Sequence, residues 1–383
     1  MNRNGRARLL ARLVLLSFAS AGVWIQFGPS IGTVRGRTTS GPFRPNRAVP
    51  GGRYAGSNAC AECHSSEVRS QEATPMANAM KSPADSEVLR AHPNLTFRNG
   101  PFSYRIERSK DGGATYTVTD GKNTISEPIL WAFGVGVMGQ TFVYHRNGAY
   151  VEGRVSYYTQ TKGLDITIGH VTTPPKTIEE AFGKAAPAVE ARDCFGCHST
   201  ASVTQDKSEI GTVNPGIHCE ACHGPGQDHI DAMKAGNLDD KHIFNPKTLS
   251  TEDLSNFCGN CHRSWETVAL MRLRGVNTVR FQPYRLTNSR CYDQDDPRIS
   301  CLACHNPHED VRRDIAFYDS KCTACHAAKV NTAQPAATRA AVCPVGKEKC
   351  VSCHMPKFEL PGGHYKFTDH DIRIVRPNEL YPN

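Results

Sequence analysis

The carboxy-terminal half of this 383-residue chain lacks what a globular interior is normally built from. Beyond Glu190 no stretch sustains the helical or alternating apolar pattern that marks a core-facing element. That absence excludes a conventional side-chain core there. Long apolar runs are equally scarce: the only one is Leu13 to Phe27, so at most one short membrane span is available. No cysteine precedes Cys60, which excludes a lipid-modified cysteine just after an export signal. Acidic residues are missing between Ile31 and Arg53, where five arginines (Arg35, Arg37, Arg44, Arg47 and Arg53) sit among Gly, Pro, Ser and Thr. Such a composition reads as a disordered basic linker.

Cysteine, by contrast, is abundant. Fourteen of the 16 cysteines form Cys-x-x-Cys pairs, each followed at once by histidine. The seven motifs are Cys60/Cys63/His64, Cys194/Cys197/His198, Cys219/Cys222/His223, Cys258/Cys261/His262, Cys301/Cys304/His305, Cys322/Cys325/His326 and Cys350/Cys353/His354. Two thiols at this spacing can each add to a vinyl group on one edge of a porphyrin, and the next residue then offers an imidazole nitrogen to the iron. The motif is the signature of covalent haem c attachment. Tetrahedral zinc needs four ligands from two such knuckles, and seven knuckles each with its own histidine do not divide that way. A dithiol redox pair would occur once. The sequence therefore predicts seven haems, with the seven histidines as proximal ligands.

Nine histidines lie outside the motifs: His92, His145, His170, His218, His229, His242, His308, His364 and His370. They are enough to give every iron a second imidazole. His308 stands three residues after His305 and cannot reach around that ring, so as a ligand it would serve a neighbouring haem. For the first motif, set apart by 130 residues from the rest, the nearby candidates are Met76, Met80 and His92. Cys291 and Cys343 belong to no motif, and a disulfide between them is one option beside a free thiol or a thiolate ligand.

The organisation follows from this uneven spacing. Residues 1–30, with Arg3, Arg6, Arg8 and Arg12 before the apolar run and Ala19-Ser20-Ala21 within it, read as a signal peptide or amino-terminal anchor. Residues 31–56 form the linker, 57–96 the first haem segment, 97–170 a β-rich insert and 171–383 a six-haem domain. In the insert, Phe102, Tyr104 and Ile106 alternate with polar residues, turn at Asp111-Gly112-Gly113 and resume at Tyr116 and Val118. A second hairpin turns at Asn147-Gly148. The expected fold is thus mainly short α-helices and loops around a haem stack, with a small antiparallel β insert between haems 1 and 2. Gly134-Val135-Gly136-Val137-Met138-Gly139 matches a dinucleotide fingerprint, but a hairpin follows where a helix is required, so it is rejected.

The formal charge is +8. Losing the four signal arginines leaves +4, and two propionates on each of seven haems bring the ferrous protein to about −10, which removes any nucleic-acid footprint.

The words around the motifs carry a resemblance. Gly216-Ile217-His218-Cys219-Glu220-Ala221-Cys222-His223-Gly224-Pro225-Gly226 with His229, Cys304-His305-Asn306-Pro307-His308, and Cys353-His354-Met355-Pro356-Lys357 followed by Thr368-Asp369-His370 resemble the multihaem cytochrome c superfamily. The likeness is to bacterial multihaem cytochromes that often carry tetratricopeptide repeats, and it spans about Tyr54 to Ile374. It implies that His229, His308 and His370 are distal ligands to adjacent haems. Cys-x-x-Cys-Lys is absent, which removes the usual lysine-ligated nitrite-reducing haem, and no helical repeat follows His370. The expected function is electron transfer between periplasmic or surface redox partners, with a quinol-linked membrane donor as one source and the amino terminus as a possible tether. The alternatives are a reductase of small nitrogen or sulfur oxyanions with one open haem, and a subunit of a haem-lined filament.

Overall fold

The alternation of buried and exposed residues in Phe102–Arg108 and Ala114–Thr119 leaves each strand one apolar face, which must be covered. The computed structural model, which describes residues 43–204, 210–239, 241–326, 343–376 and 378–382, shows what covers it. Strands β2 (Asn94–Asn99), β3 (Phe102–Arg108), β4 (Ala114–Thr119) and β5 (Thr124–Pro128) form a four-stranded antiparallel meander. A second antiparallel sheet runs in the order β1 (Met80–Lys81), β6 (Trp131–Phe133), β7 (Gly139–Arg146), β8 (Ala149–Tyr158) and β10 (Gly183–Ala185), with β9 (Gly163–Ile166) also on β8. Asn147 and Gly148 both take positive φ, 51° and 78°, in the two-residue turn between β7 and β8. The glycine-rich run from Gly134 is the β6–β7 connection, with Gly134 and Gly136 at positive φ.

The insert is therefore larger than one small sheet, and it takes a strand from each side of the expected 97–170 span. Met80 pairs with Phe133, and Gly183 with Gly153. Between the sheets lies a side-chain core of Leu95, Tyr104, Ile106, Tyr116, Val118, Phe142, Tyr144, Val155 and Phe182. Strand β8 is buried along both faces, because the sheet's other side packs Met80, Phe133 and Val143 against Phe195 and Val203.

The remaining helices are short. They are α1 (Ser57–Ala61), α2 (Ser65–Glu72), α3 (Glu87–Ala91), α4 (Ile178–Phe182), α5 (Ala188–His198), α6 (Cys219–His223) and α7 (Gln227–Lys234). After them come α8 (Thr251–His262), α9 (Trp265–Leu270), α10 (Gln282–Thr287), α11 (Cys301–Cys304), α12 (Ile315–His326) and α13 (Cys350–His354), then the hairpin β11 (Lys357–Glu359) and β12 (Lys366–Thr368). None of the described helices is long and apolar enough to cross a membrane.

One expectation is corrected. The signal segment and residues 31–42 lie outside the described residues, but from Phe43 onward the basic segment is ordered against the helices rather than loose. Phe43 packs edge-on to Phe244 at 5.4 Å, Ala48 is buried, Arg47 bonds Asp193 at 2.7 Å, and Arg53 pairs with Asp228 at 2.9 Å and with Asp231. Composition alone reads this segment as unstructured because its carboxylate partners lie 146 to 178 residues away in sequence. The approach is close enough that a side chain at Gly196 would meet Arg47 Nη1 at 2.5 Å and the Asn46 carbonyl at 2.7 Å.

Candidate haem-binding site

All seven motifs fall on or immediately after a short helix: α1 carries Cys60, and α5, α6, α8, α11, α12 and α13 carry the others. One helical turn places the two cysteines at i and i+3 on one side, with the histidine following on the same face. The helices are gathered by buried carboxylates. Glu220, inside the third motif, accepts from the backbone N–H groups of Ala55, Gly56 and Gly226, each at 2.8 Å, and so fixes the entry to α1 against α6. Asp319 in α12 accepts from the N–H groups of Lys349 and Cys350 at 2.6 and 2.8 Å, and so fixes the start of α13. Neither residue stands out in sequence, because a lone acid within or before a motif carries no pattern.

This gathering brings thiols of different motifs near one another. The thiols of Cys60 and Cys219 lie near enough to shift each other's titration, as do those of Cys197 and Cys261, Cys258 and Cys301, and Cys322 and Cys350. Cys222 and Cys258 also interact through space, as do Cys304 and Cys322. Every motif thus has a neighbour. Cys291 and Cys343 are not joined to each other.

The second cysteines of the first and sixth motifs are placed differently from the thiols of these pairs. Cys63 is not on a helix: α1 ends at Ala61, so Cys63 falls in the turn that follows, exposed, with its N–H donating to the Cys60 carbonyl at 3.2 Å. Cys325 is half-buried near the end of α12. For these two residues, as for Cys194 and Cys353, haem attachment is read from the Cys-x-x-Cys-His spacing alone. The physical reason is that only one thiol of each of these two motifs faces a neighbouring motif, Cys60 in the first and Cys322 in the sixth.

The imidazoles show a second order. His229 faces His64 with ring centroids 6.4 Å apart and planes inclined by 23°. His308 faces His223 at 6.0 Å and 15°, and His370 faces His305 at 6.2 Å and 39°. With metal–nitrogen bonds of about 2 Å and about 1 Å from nitrogen to ring centre, two imidazoles on opposite faces of one iron have centroids about 6 Å apart. The three pairs fit that spacing.

The ring orientation is fixed from behind. The Nδ1 atoms of His198, His223, His229, His354 and His370 lie 2.7 to 3.0 Å from the carbonyls of Ala79, Phe244, Lys241, Arg373 and Thr368. Such bonds leave Nε2 as the metal-facing atom. Burial pulls His370 down to about 4 and also holds His198, His262, His305 and His308 below the usual imidazole range. These rings are neutral at neutral pH, the form that binds a metal.

His370 is held further by its neighbours. Ser289 donates to its carbonyl at 2.9 Å, and the adjacent Asp369 is fully buried in a paired cluster with Arg285 (2.9 Å) and Arg373 (2.7 Å).

Other candidate ligands are engaged elsewhere. His92 Nε2 lies 2.9 Å from the Tyr157 hydroxyl, on the β-rich region, whereas the ring that faces His64 is that of His229. Met80 is 1% exposed in the apolar cluster with Phe133 and Phe195. Met76 is half-buried, and its carbonyl accepts from Ile217 N–H at 2.9 Å, docking the first segment on the third motif. For Met80 and His92 proximity in sequence misleads, because the chain after α2 runs on into β1 and α3. His170 pairs with Glu152 at 3.2 Å and His364 with Asp165 at 2.8 Å.

Seven attachment motifs on gathered short helices, with paired imidazoles between them, are the features of a multihaem c-type cytochrome, and the comparisons with known proteins support that superfamily. The family model for cytochrome c554 and c-prime matches residues 170–224, the stretch holding the second and third motifs. Multiheme cytochrome MtrA of Shewanella baltica (strain OS185) is 25% identical over 219 residues, covering 53% of this chain and 55% of that protein. The chain thus spans about half the length of this curated relative. The outer cell wall cytochrome OcwA superposes with a TM-score of 0.51 at 16% identity, over 84% of this chain and 80% of that one, a likeness of fold.

Proposed function

We propose that the chain is an exported seven-haem electron carrier that passes electrons along a connected haem array between redox partner proteins. All fourteen motif cysteines, Cys63 and Cys325 included, serve as thioether anchors in this reading. The three facing imidazole pairs that cross between motifs are the observation that carries it. Once each cysteine is a thioether, the nearness of Cys60 to Cys219, Cys197 to Cys261, Cys258 to Cys301, and Cys322 to Cys350 brings the macrocycle edges of motifs 1 and 3, 2 and 4, 4 and 5, and 6 and 7 towards one another. The proposed distal ligands cross the same neighbours: His229 joins motifs 1 and 3, His308 joins 3 and 5, and His370 joins 5 and 7. An iron held by two imidazoles has no free position for a small ligand, so haems 1, 3 and 5 exchange electrons only. The partners are a reducing protein or quinol-linked donor on one side and a terminal acceptor on the other, in the periplasm or at the cell surface. The amino-terminal apolar segment delivers the chain there or tethers it.

The test is intact-mass analysis of the purified protein joined to redox titration. Seven haem additions that resist acid-acetone extraction, all reducible by one dye, support the reading. Fewer additions, or dye-driven turnover of nitrite, hydroxylamine or sulfite, overturn it.

A further inference from the structure

A cavity of about 290 Å³ lies beside the second motif, lined by Cys194 and His198 on one side and by Glu152, Tyr158 and Arg280 among the residues around it. Arg280 is the unusual member. Its Nε is buried without a hydrogen-bond partner, and among the described residues no carboxylate lies within ion-pair distance of its guanidinium. Its recorded contact is the Phe281 ring, 5.1 Å from the guanidinium carbon.

The acids that line the cavity are otherwise engaged: Glu152 with His170 at 3.2 Å, and Glu190 with Lys184 at 3.4 Å. The Tyr158 hydroxyl donates to the Ile166 carbonyl. A second cation, Arg263, is close enough to repel Arg280 and to act on His198, and left-handed backbone at φ 66° sets where its side chain departs. Burial first, and Arg263 second, pull the Arg280 guanidinium below the usual arginine range. An Nε–H shut from water without an acceptor is unfavourable, and an anion that reaches this half-buried guanidinium removes that penalty.

A haem bound at Cys194 and Cys197 brings two carboxylates on the edge opposite its thioether bonds. We propose that Arg280, assisted by Arg263, is the anion clamp of this cavity and that its anion is a propionate of haem 2. Arginine suits the task because its planar fork meets a carboxylate with two parallel hydrogen bonds. No local pattern points to it, since Arg280 lies 82 residues from His198 and in no motif. The clamp would raise the potential of haem 2, because a fixed cation disfavours the more positive ferric state.

The inference rests on haem attachment at the second motif, which mass analysis checks separately. The experiment is spectroelectrochemistry of wild-type, Arg280→Gln, Arg280→Lys and Arg263→Gln holoproteins, each first shown to carry its full haem complement. Arg280→Gln is expected to lower one potential only, by about 59 mV, corresponding to about a tenfold loss in the one-electron reduction equilibrium. Arg280→Lys recovers most of it, and Arg263→Gln lowers the same potential by less.

If Arg280→Gln does not fold, Arg263→Gln still carries the test. Unchanged potentials in every variant that folds overturn the clamp. A second arm adds sulfate or nitrite: saturable binding that changes the wild-type potential and is abolished in Arg280→Gln, with no difference between the proteins before addition, assigns the cavity to a free oxyanion and overturns the propionate.

Discussion

The two halves of the described chain solve the same problem with different materials. Between Met80 and Ala185 two sheets bury Leu89, Ile106, Tyr116, Val118, Phe142, Tyr144 and Val155 at 0% exposure, and the backbone finds its partners in ladders. From Ala188 to the carboxy terminus no described helix exceeds 12 residues, and buried apolar residues such as Ala191, Phe195, Leu254 and Leu286 are spread singly along the chain. What gathers that half is a set of carboxylate staples and facing imidazoles. The difference teaches where the hydrophobic effect enters: the β-rich region brings its own apolar surface, whereas the helical region, in the proposed reading, takes its interior from flat apolar cofactors.

The largest expected effect separates the two most sharply. Protein made without haem attachment should lose the helical region to limited proteolysis while a fragment near residues 80–186 survives, as read by mass spectrometry of the digest. Equal resistance of both regions would erase the distinction. Within the attached protein, Cys258→Ser with Cys261→Ser removes the motif that touches both the second and the fifth, and should reduce the haem count by at least one and lower the melting temperature of the helical region.

The converse change attacks only the side-chain core. Ile106→Ala should cost about 2–5 kcal/mol in denaturant unfolding of the β-rich region, with the haem absorption spectrum unchanged. A smaller effect is expected at a staple: Asp319→Asn, which weakens two charge-assisted bonds to the Lys349 and Cys350 backbone, should cost about 1–3 kcal/mol and be felt at the seventh haem. Smallest in stability, but specific in spectrum, is His229→Ala, which should turn one iron from low-spin to high-spin by electron paramagnetic resonance and leave the others alone.

The two regions also differ in how much of them sequence makes legible. Attachment chemistry is local, so Cys-x-x-Cys-His announces each site whatever surrounds it, and the β turns are local too: Asp111-Gly112-Gly113 and Asn147-Gly148 mark hairpins that the structure contains. Long-range pairing is not written this way. The two-residue strand at Met80 and the three-residue strand at Gly183 have no period of their own, and only their partners in β6 and β8 make them strands. The same reason hides the ordered stretch from Phe43 to Arg53, the staples Glu220 and Asp319, and Arg280. It also hides which thiol of a motif meets its neighbour: Cys60 and Cys322 do, whereas Cys63 and Cys325 in the same motifs do not.

His92 stood near the first motif in sequence and bonds Tyr157 instead, while His229, 165 residues from His64, faces it. Close contact at Gly216 explains part of that. A side chain there would meet the Ala77 carbonyl at 2.0 Å, so glycine lets the first segment lie against the third motif.

The central claim is that the haems form one connected array, and its most direct test is to inject less than one electron per molecule by pulse radiolysis and follow the haem bands. The account predicts that the electron redistributes among haems in a unimolecular phase whose rate does not change with protein concentration. Redistribution whose rate rises in proportion to concentration would mean that electrons cross between molecules rather than along the chain, and would contradict the array.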